Sequence, residues 1–244
     1  MSEQTSPELK VDRPRATITL RRPAEHNRID PADVDVLQEH LATVIADPGV
    51  RVLVITGLGA RTFSSGYTIQ ALRGQLDDRF ERMLDTLETL PLPVVCALNG
   101  SVYGGATDLS LCCDFRLGVR GSRMLMPAAK IGLHYYPGGI RRYVTRLGLN
   151  AAKKLFLTAL PIDDEEMLRI GFLTELVDAD ALDAEISRYV DALVACVPEV
   201  VRSMKRFLNQ AADGEFDLQA QRAAYAASLS SDELAKRITA LGKS

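Results

Sequence analysis

Apolar and polar positions along the chain change period in a repeating order. Leu9–Asp12 and Ala16–Leu20 alternate with period two and predict two strands of a meander joined at Arg13-Pro14. Pro31 opens a helix whose Val34, Leu37, Leu41, Val44 and Ile45 share one face, and Asp47-Pro48-Gly49 ends it. Arg51–Thr56 is a short apolar, β-branched run, as a buried strand requires, and GLGARTFSSGYT after it is a turn. Ile69–Gln75 reads as helical and Asp77–Leu90 as an amphipathic helix. Val94–Leu98 repeats the buried-strand pattern. It is followed by the glycine turn Asn99–Gly105 and a helix, ATDLSLCCD, whose Leu109, Leu111 and Cys112 suit a core position. Phe115–Val119 and Arg123–Met126 predict strands, LHYYPGG a turn, and Ile140–Leu147 and Ala151–Leu157 helices. Strands alternating with helices in this way define an α/β fold with crossover connections.

From about Ala179 the strand pattern stops. Asp180–Cys196, Pro198–Ala212, Phe216–Ser228 and Asp232–Leu241 read as four helices with more apolar surface than one core covers, which predicts an assembly role. Residues 1–7 read as a disordered tail.

Composition narrows the function classes. The 244 residues are 47% hydrophobic and 25% charged, enough for one full core with an appendage. A formal charge of −3 with interspersed signs argues against nucleic acid as a partner. The longest uncharged run, Thr89–Thr107, carries prolines and glycines and does not suit a membrane span. Cys96, Cys112, Cys113 and Cys196 sit in apolar contexts without metal-type spacing; they read as small core residues of a soluble cytoplasmic protein that binds no metal.

The chemistry is carried by the glycine turns. A strand that ends in glycines and starts a helix points free N–H groups and the positive end of a helix dipole into one spot, which stabilises an anion. Neither turn suits a nucleotide. GSVYGGAT lacks the Gly-Lys-Ser/Thr of a phosphate loop, and GLGART lacks the third glycine of a dinucleotide fingerprint. Two such turns, each after a buried strand, can each aim a backbone N–H at a shared point.

FSSGYT, PVVCALNGSVYGGATDLSLCCDFRL and PAAKIGLHYYPGGIRRYVTRLG together resemble the crotonase superfamily, the enoyl-CoA hydratase/isomerase family, and the resemblance spans about residues 8–215. It implies a spiral of ββα units with an all-helical C-terminal region, divided as a core over 1–190 and an oligomerisation region over 191–244. It also implies acyl-CoA substrates, with coenzyme A as part of the substrate and no prosthetic group, and a homo-trimer or a hexamer built as a dimer of trimers. The oxyanion hole of the family maps onto the amides of Tyr67 and Gly105. RRPAEHN resembles the first loop of the family, where adenine and phosphates lie, which makes Glu25, His26 and Arg28, with Ser65, Gly66 and Lys205, the candidates for holding coenzyme A.

The departures from the family bear on the reaction. The first glutamate of the hydratases maps onto Asp108, and the second onto Ala128, so the second acid is absent. The short glycine turn with one acid after it, together with Tyr135, resembles the methylmalonyl-CoA decarboxylases most closely. The histidine and aspartate those enzymes carry at the first oxyanion position are Tyr67-Thr68 here. The resemblance therefore implies decarboxylation of a malonyl-type thioester, with Tyr135 holding the carboxylate and Asp108 orienting the site or relaying a proton. The alternatives are hydration or isomerisation of an unusual enoyl-CoA with Asp108 as sole acid/base, and an inactive CoA-binding homologue. His134 and Tyr136 read as residues of the turn. Arg141 and Arg142 read as surface charges.

Overall fold

The computed structural model describes residues 5–241, and among these ten strands make two sheets. The larger sheet has the order β1 (Glu8–Asp12), β2 (Arg15–Leu20), β3 (Val52–Gly57), β5 (Val94–Leu98), β7 (Phe115–Val119), β10 (Glu175–Val177). Its first pair is antiparallel and every later pair parallel. The smaller sheet has the order β4 (Thr62–Ser64), β6 (Ser101–Tyr103), β8 (Arg123–Leu125), β9 (Ile162–Asp163). Each repeat lays one strand in the large sheet and a short one in the small sheet, then returns through a helix: α3 (Asp78–Glu88), α4 (Gly105–Cys112) and α5 (Pro137–Lys153). This is the expected spiral of ββα units.

The continuous apolar runs of β3 and β5 follow from burial on both faces. Leu53, Ile55, Val94, Cys96 and Leu98 face the main core, with Val34, Leu37 and Leu41 of α1 (Pro31–Ala46) and Leu84 and Leu87 of α3. The alternate residues Val52, Val54, Val95 and Ala97 face a second core closed by Leu182, Ile186 and Val190 of α7 (Leu182–Ala195). The first of the C-terminal helices thus belongs to the packed body. By contrast α8 (Pro198–Ala212) and α9 (Leu218–Leu229) bury no residue, and Met204, Leu208, Tyr225 and Leu229 are more than half exposed (61, 69, 67 and 58%). α10 (Asp232–Leu241) follows them.

Several expectations change. The three-residue strands β4 and β6 lie inside stretches that read as glycine turns, too short and too rich in Ser and Gly to show a period. Ile69–Gln75 is a 3₁₀ turn followed by α2 (Leu72–Gln75), whose Arg73 and Gly74 are not helical. The helices expected at Ile140–Leu147 and Ala151–Leu157 form α5, broken at Gly148 (φ 79°), which runs on at its end into a π turn over Lys154–Thr158. α6 (Asp164–Arg169) leads into β10. Residues 1–4 of the expected tail lie outside the described residues. Ser6 and Pro7 are tied down, their carbonyls accepting from Arg21 Nε (3.0 Å) and bonding His40 Nε2 (3.0 Å). Cys196 is exposed at the end of α7 and is no core residue, whereas the other three cysteines are buried. No group of side chains suited to a metal, and no helix long and apolar enough to cross a membrane, occurs among the described residues.

Candidate active site

Parallel pairing of β4 with β6 lays the two glycine turns side by side. The approach is close: a Cβ on Gly66 would lie 2.6 Å from Gly105 N and 2.7 Å from Tyr103 O, and Gly66 also holds φ 81°. A Cβ on Gly105 would lie 3.5 Å from Tyr67 N. Only glycine fits at 66, and the amides of Tyr67 and Gly105 are thereby brought together. Gly105 is the first residue of α4, so its N–H has no partner within the helix. Neither N–H has a backbone or side-chain acceptor among the described residues. The Tyr67 side chain is engaged elsewhere, its ring edge-on to Phe80 at 5.4 Å and its hydroxyl donating to Gln75 O at 2.9 Å. Tyr67 and Gly105, the two residues the sequence singles out, thus present unengaged donors side by side at a helix start.

The loop over 22–29 borders this spot. Ser65 N donates to His26 O (2.8 Å), and Ile29 N to Gly66 O (2.8 Å). The His26 ring bonds Thr62 Oγ1 at 2.9 Å. Glu25 and Asp30 both pair with Arg28, at 3.1 and 2.9 Å. Of the residues expected to meet coenzyme A, the fold therefore gathers Glu25, His26, Arg28, Ser65 and Gly66 beside the amide pair. Lys205 is the exception. Its ammonium pairs with Asp114 (2.8 Å) and donates to Leu92 O (2.9 Å), and only 9% of the side chain is exposed. Asp114 also accepts from Val94 N, the first residue of β5, so Lys205 sits at the opposite end of that strand from the glycine turn. There it fastens α8 to the core, apart from the other residues expected to meet coenzyme A.

One helical turn beyond Gly105, on the same face of α4, is Asp108. It is fully buried (0% exposed) and held in a fork by Arg142, Nε to Oδ1 at 2.9 Å and Nη2 to Oδ2 at 3.1 Å. The Tyr136 hydroxyl donates to Oδ2 of the same carboxylate. Arg142, expected at the surface, is thus among the most buried side chains of the molecule; it also meets Asp85 (2.8 Å) and Glu88 (3.1 Å) of α3. Such burial is tolerable because three carboxylates surround one guanidinium. Arg141 pairs with Glu88 and Asp213.

Tyr135 stacks on Tyr136 with ring centres 4.5 Å apart, and their hydroxyls are 3.4 Å apart. Burial, and after it the charge of Asp108, pushes both phenols well above their ordinary pKa, so both stay protonated at neutral pH. Gly139 makes the cluster possible: a Cβ there would lie 2.2 Å from Tyr135 Cε1 and 3.0 Å from Asp108 Oδ2. A hollow of about 730 Å³ opens onto Tyr135, Tyr136 and His134. A neighbouring cavity of about 290 Å³ is lined by Ala128, Leu133, Tyr135 and Phe156. His134 is exposed and bonds the Tyr135 carbonyl (2.8 Å), in keeping with a turn residue. Sequence reasoning placed Asp108 and Tyr135 here but not Tyr136, Arg142 or Gly139. The signal was the Gly-Gly pair at the start of a helix, where small residues allow another element to approach.

Two unpartnered amides at a helix start thus lie beside a buried polar cluster on a ββα spiral. Residues 15–238 match the enoyl-CoA hydratase/isomerase family, and the chain belongs to that family. It is 27% identical over 212 residues to a crotonyl-CoA hydratase of Syntrophomonas wolfei, covering 83% of this chain and 80% of that one. It is 30% identical over 195 residues to a carnitinyl-CoA dehydratase of Citrobacter koseri, covering 77% and 74%. Among solved structures, an enoyl-CoA hydratase from Bacillus anthracis superposes with a TM-score of 0.88 at 23% identity over 98% of this chain and 96% of that one, a likeness of fold.

Proposed function

We propose that this chain adds water to, or removes it from, an acyl-CoA thioester. The thioester oxygen lies between the amides of Tyr67 and Gly105, with coenzyme A along Glu25, His26 and Arg28. The observation that carries the reading is the convergence of those two free amides at the start of α4. An enolate oxygen there gains two fixed hydrogen bonds and a helix dipole, each donor contributing about 3 kcal/mol. Hydration is preferred to decarboxylation because the similar proteins are named as a hydratase and a dehydratase. Decarboxylation of a malonyl-type thioester is the second reading. It is favoured by the commitment of Asp108 to Arg142 and by Ala128 where a second acid would stand, since loss of CO2 needs no base. Incubation with crotonyl-CoA and with methylmalonyl-CoA, reading enoyl absorbance and CO2 release, tests both. Water addition without CO2 release is the expected outcome; CO2 release alone selects the second reading, and binding without turnover an inactive CoA-binding protein.

The residues after Ala195 serve assembly in this reading. The groove between α8 and α9, about 800 Å³ and lined by Met204, Phe207, Leu208 and Tyr225, receives a second copy of the chain in a trimer or a dimer of trimers in the cytoplasm. Light scattering is expected to give a multiple of three chains; a 26.7 kDa monomer overturns this.

A further inference from the structure

Asp108 is the carboxylate one turn beyond Gly105 on α4, yet it is sealed. It is 0% exposed and borders neither of the two cavities at Tyr135. Arg142 holds both of its oxygens, and a Cβ-free Gly139 closes over Oδ2. Tyr136 is different: it is partly exposed, lines the hollow of about 730 Å³, and points its hydroxyl at Asp108. Because that hydroxyl spends its proton on Asp108, its oxygen is left to accept, from the Tyr135 hydroxyl 3.4 Å away and from a group arriving from the hollow.

We infer that the Tyr136 hydroxyl, and not the Asp108 carboxylate, is the group that meets the reacting water. Asp108 acts through Tyr136, and Arg142 is a positioning residue that fixes the Asp108 carboxylate beneath it. The inference rests on the hydration reading above. The oxygen of a water molecule bonds to the β carbon of the enoyl group while its proton passes to Tyr136 and the phenol proton passes to Asp108. The alkene electron pair moves through the thioester onto the oxygen held by the Tyr67 and Gly105 amides. When the enolate collapses, Tyr136 returns a proton to the α carbon and recovers its own from Asp108, so one water is added and no proton is left over. Burial and the adjacent carboxylate raise the phenol pKa well above its usual value, so between turnovers the proton rests on Tyr136.

Tyr136→Phe retains the stack on Tyr135 and removes only the hydroxyl. It is expected to lower kcat for crotonyl-CoA hydration at least ~100-fold with KM little changed. Tyr136→His, which returns a proton-carrying group, should recover part of the loss. Combining Tyr136→Phe with Asp108→Asn should cost no more than the worse single variant, because the two act in series. Hydration by Tyr136→Phe within threefold of wild type, with Asp108→Asn inactive, overturns the inference. A wild type that hydrates nothing defeats the hydration reading instead; exchange of solvent deuterium into the α carbon of butyryl-CoA then decides. Exchange lost in Tyr136→Phe supports Tyr136 as the proton-transfer group, and exchange retained there, or absent from wild type, overturns it.

Discussion

The two halves of the site are built on opposite principles. On the amide side, the Tyr67 and Gly105 donors belong to the backbone, and their positions are set by strand pairing and by Gly66, which no other residue can replace. On the α4–α5 side, every functional atom is a side chain, and each is fixed by another side chain: Asp108 by Arg142, Tyr136 by Asp108, Tyr135 by Tyr136. A backbone site keeps its chemistry whatever side chains flank it. A side-chain site changes its chemistry with single substitutions, such as alanine at 128. The amide pair is thus set by the fold, while the side-chain cluster belongs to this particular sequence.

The largest effect should come from breaking the amide side. Gly105→Pro removes one donor and is expected to cost about 100- to 1,000-fold in kcat/KM, measured by enoyl-CoA turnover. Next, Gly139→Ala should strike the side-chain half alone, because the new Cβ overlaps Tyr135 and crowds Asp108. Overpacking of this kind lowers stability by about 1–3 kcal/mol in urea melts, and CoA binding by calorimetry should persist. Lys205→Met should lower stability by about 1.5–3 kcal/mol through loss of a charged hydrogen bond to Asp114, with KM for the acyl-CoA unchanged.

Acid should loosen the side-chain half first. Burial alone would raise the Glu88 pKa, but the hydrogen bond from Arg141 and the charges of Arg142, Arg141 and Arg146 outweigh it and hold the carboxyl below its usual value. A depressed carboxyl contributes stability above its unfolded pKa, near ~4.5, and that contribution disappears as pH falls through the lower folded value. The gap in Tm between wild type and Glu88→Gln is therefore expected to be widest near neutral pH and to close below about pH 4. The smallest effect belongs to Tyr67→Phe, which keeps the amide and the ring contact with Phe80 and loses only the bond to Gln75 O. Turnover within about threefold of wild type is expected, since the net worth of one such bond is about 1 kcal/mol.

Much of this molecule was legible in the sequence. Two-sided burial wrote Val94–Leu98 as an apolar run with the bounds the structure gives it, Phe115–Val119 is the strand expected there, and α8 and α10 also fall where the helical period puts them. The glycines marked the amide side, because a positive φ or a close backbone approach leaves a trace in residue type. The three-residue strands β4 and β6 left none, since a period cannot appear in three positions. Tertiary structure alone decided the fate of the charges. Arg142 and Lys205 look like solvated helix residues by composition. Arg142 is buried and Lys205 largely withdrawn from solvent because a carboxylate remote in sequence, Asp108 or Asp114, meets each across a packed interface. Pairing of this kind depends on which helix faces meet, and no local pattern of hydrophobic and polar residues encodes that.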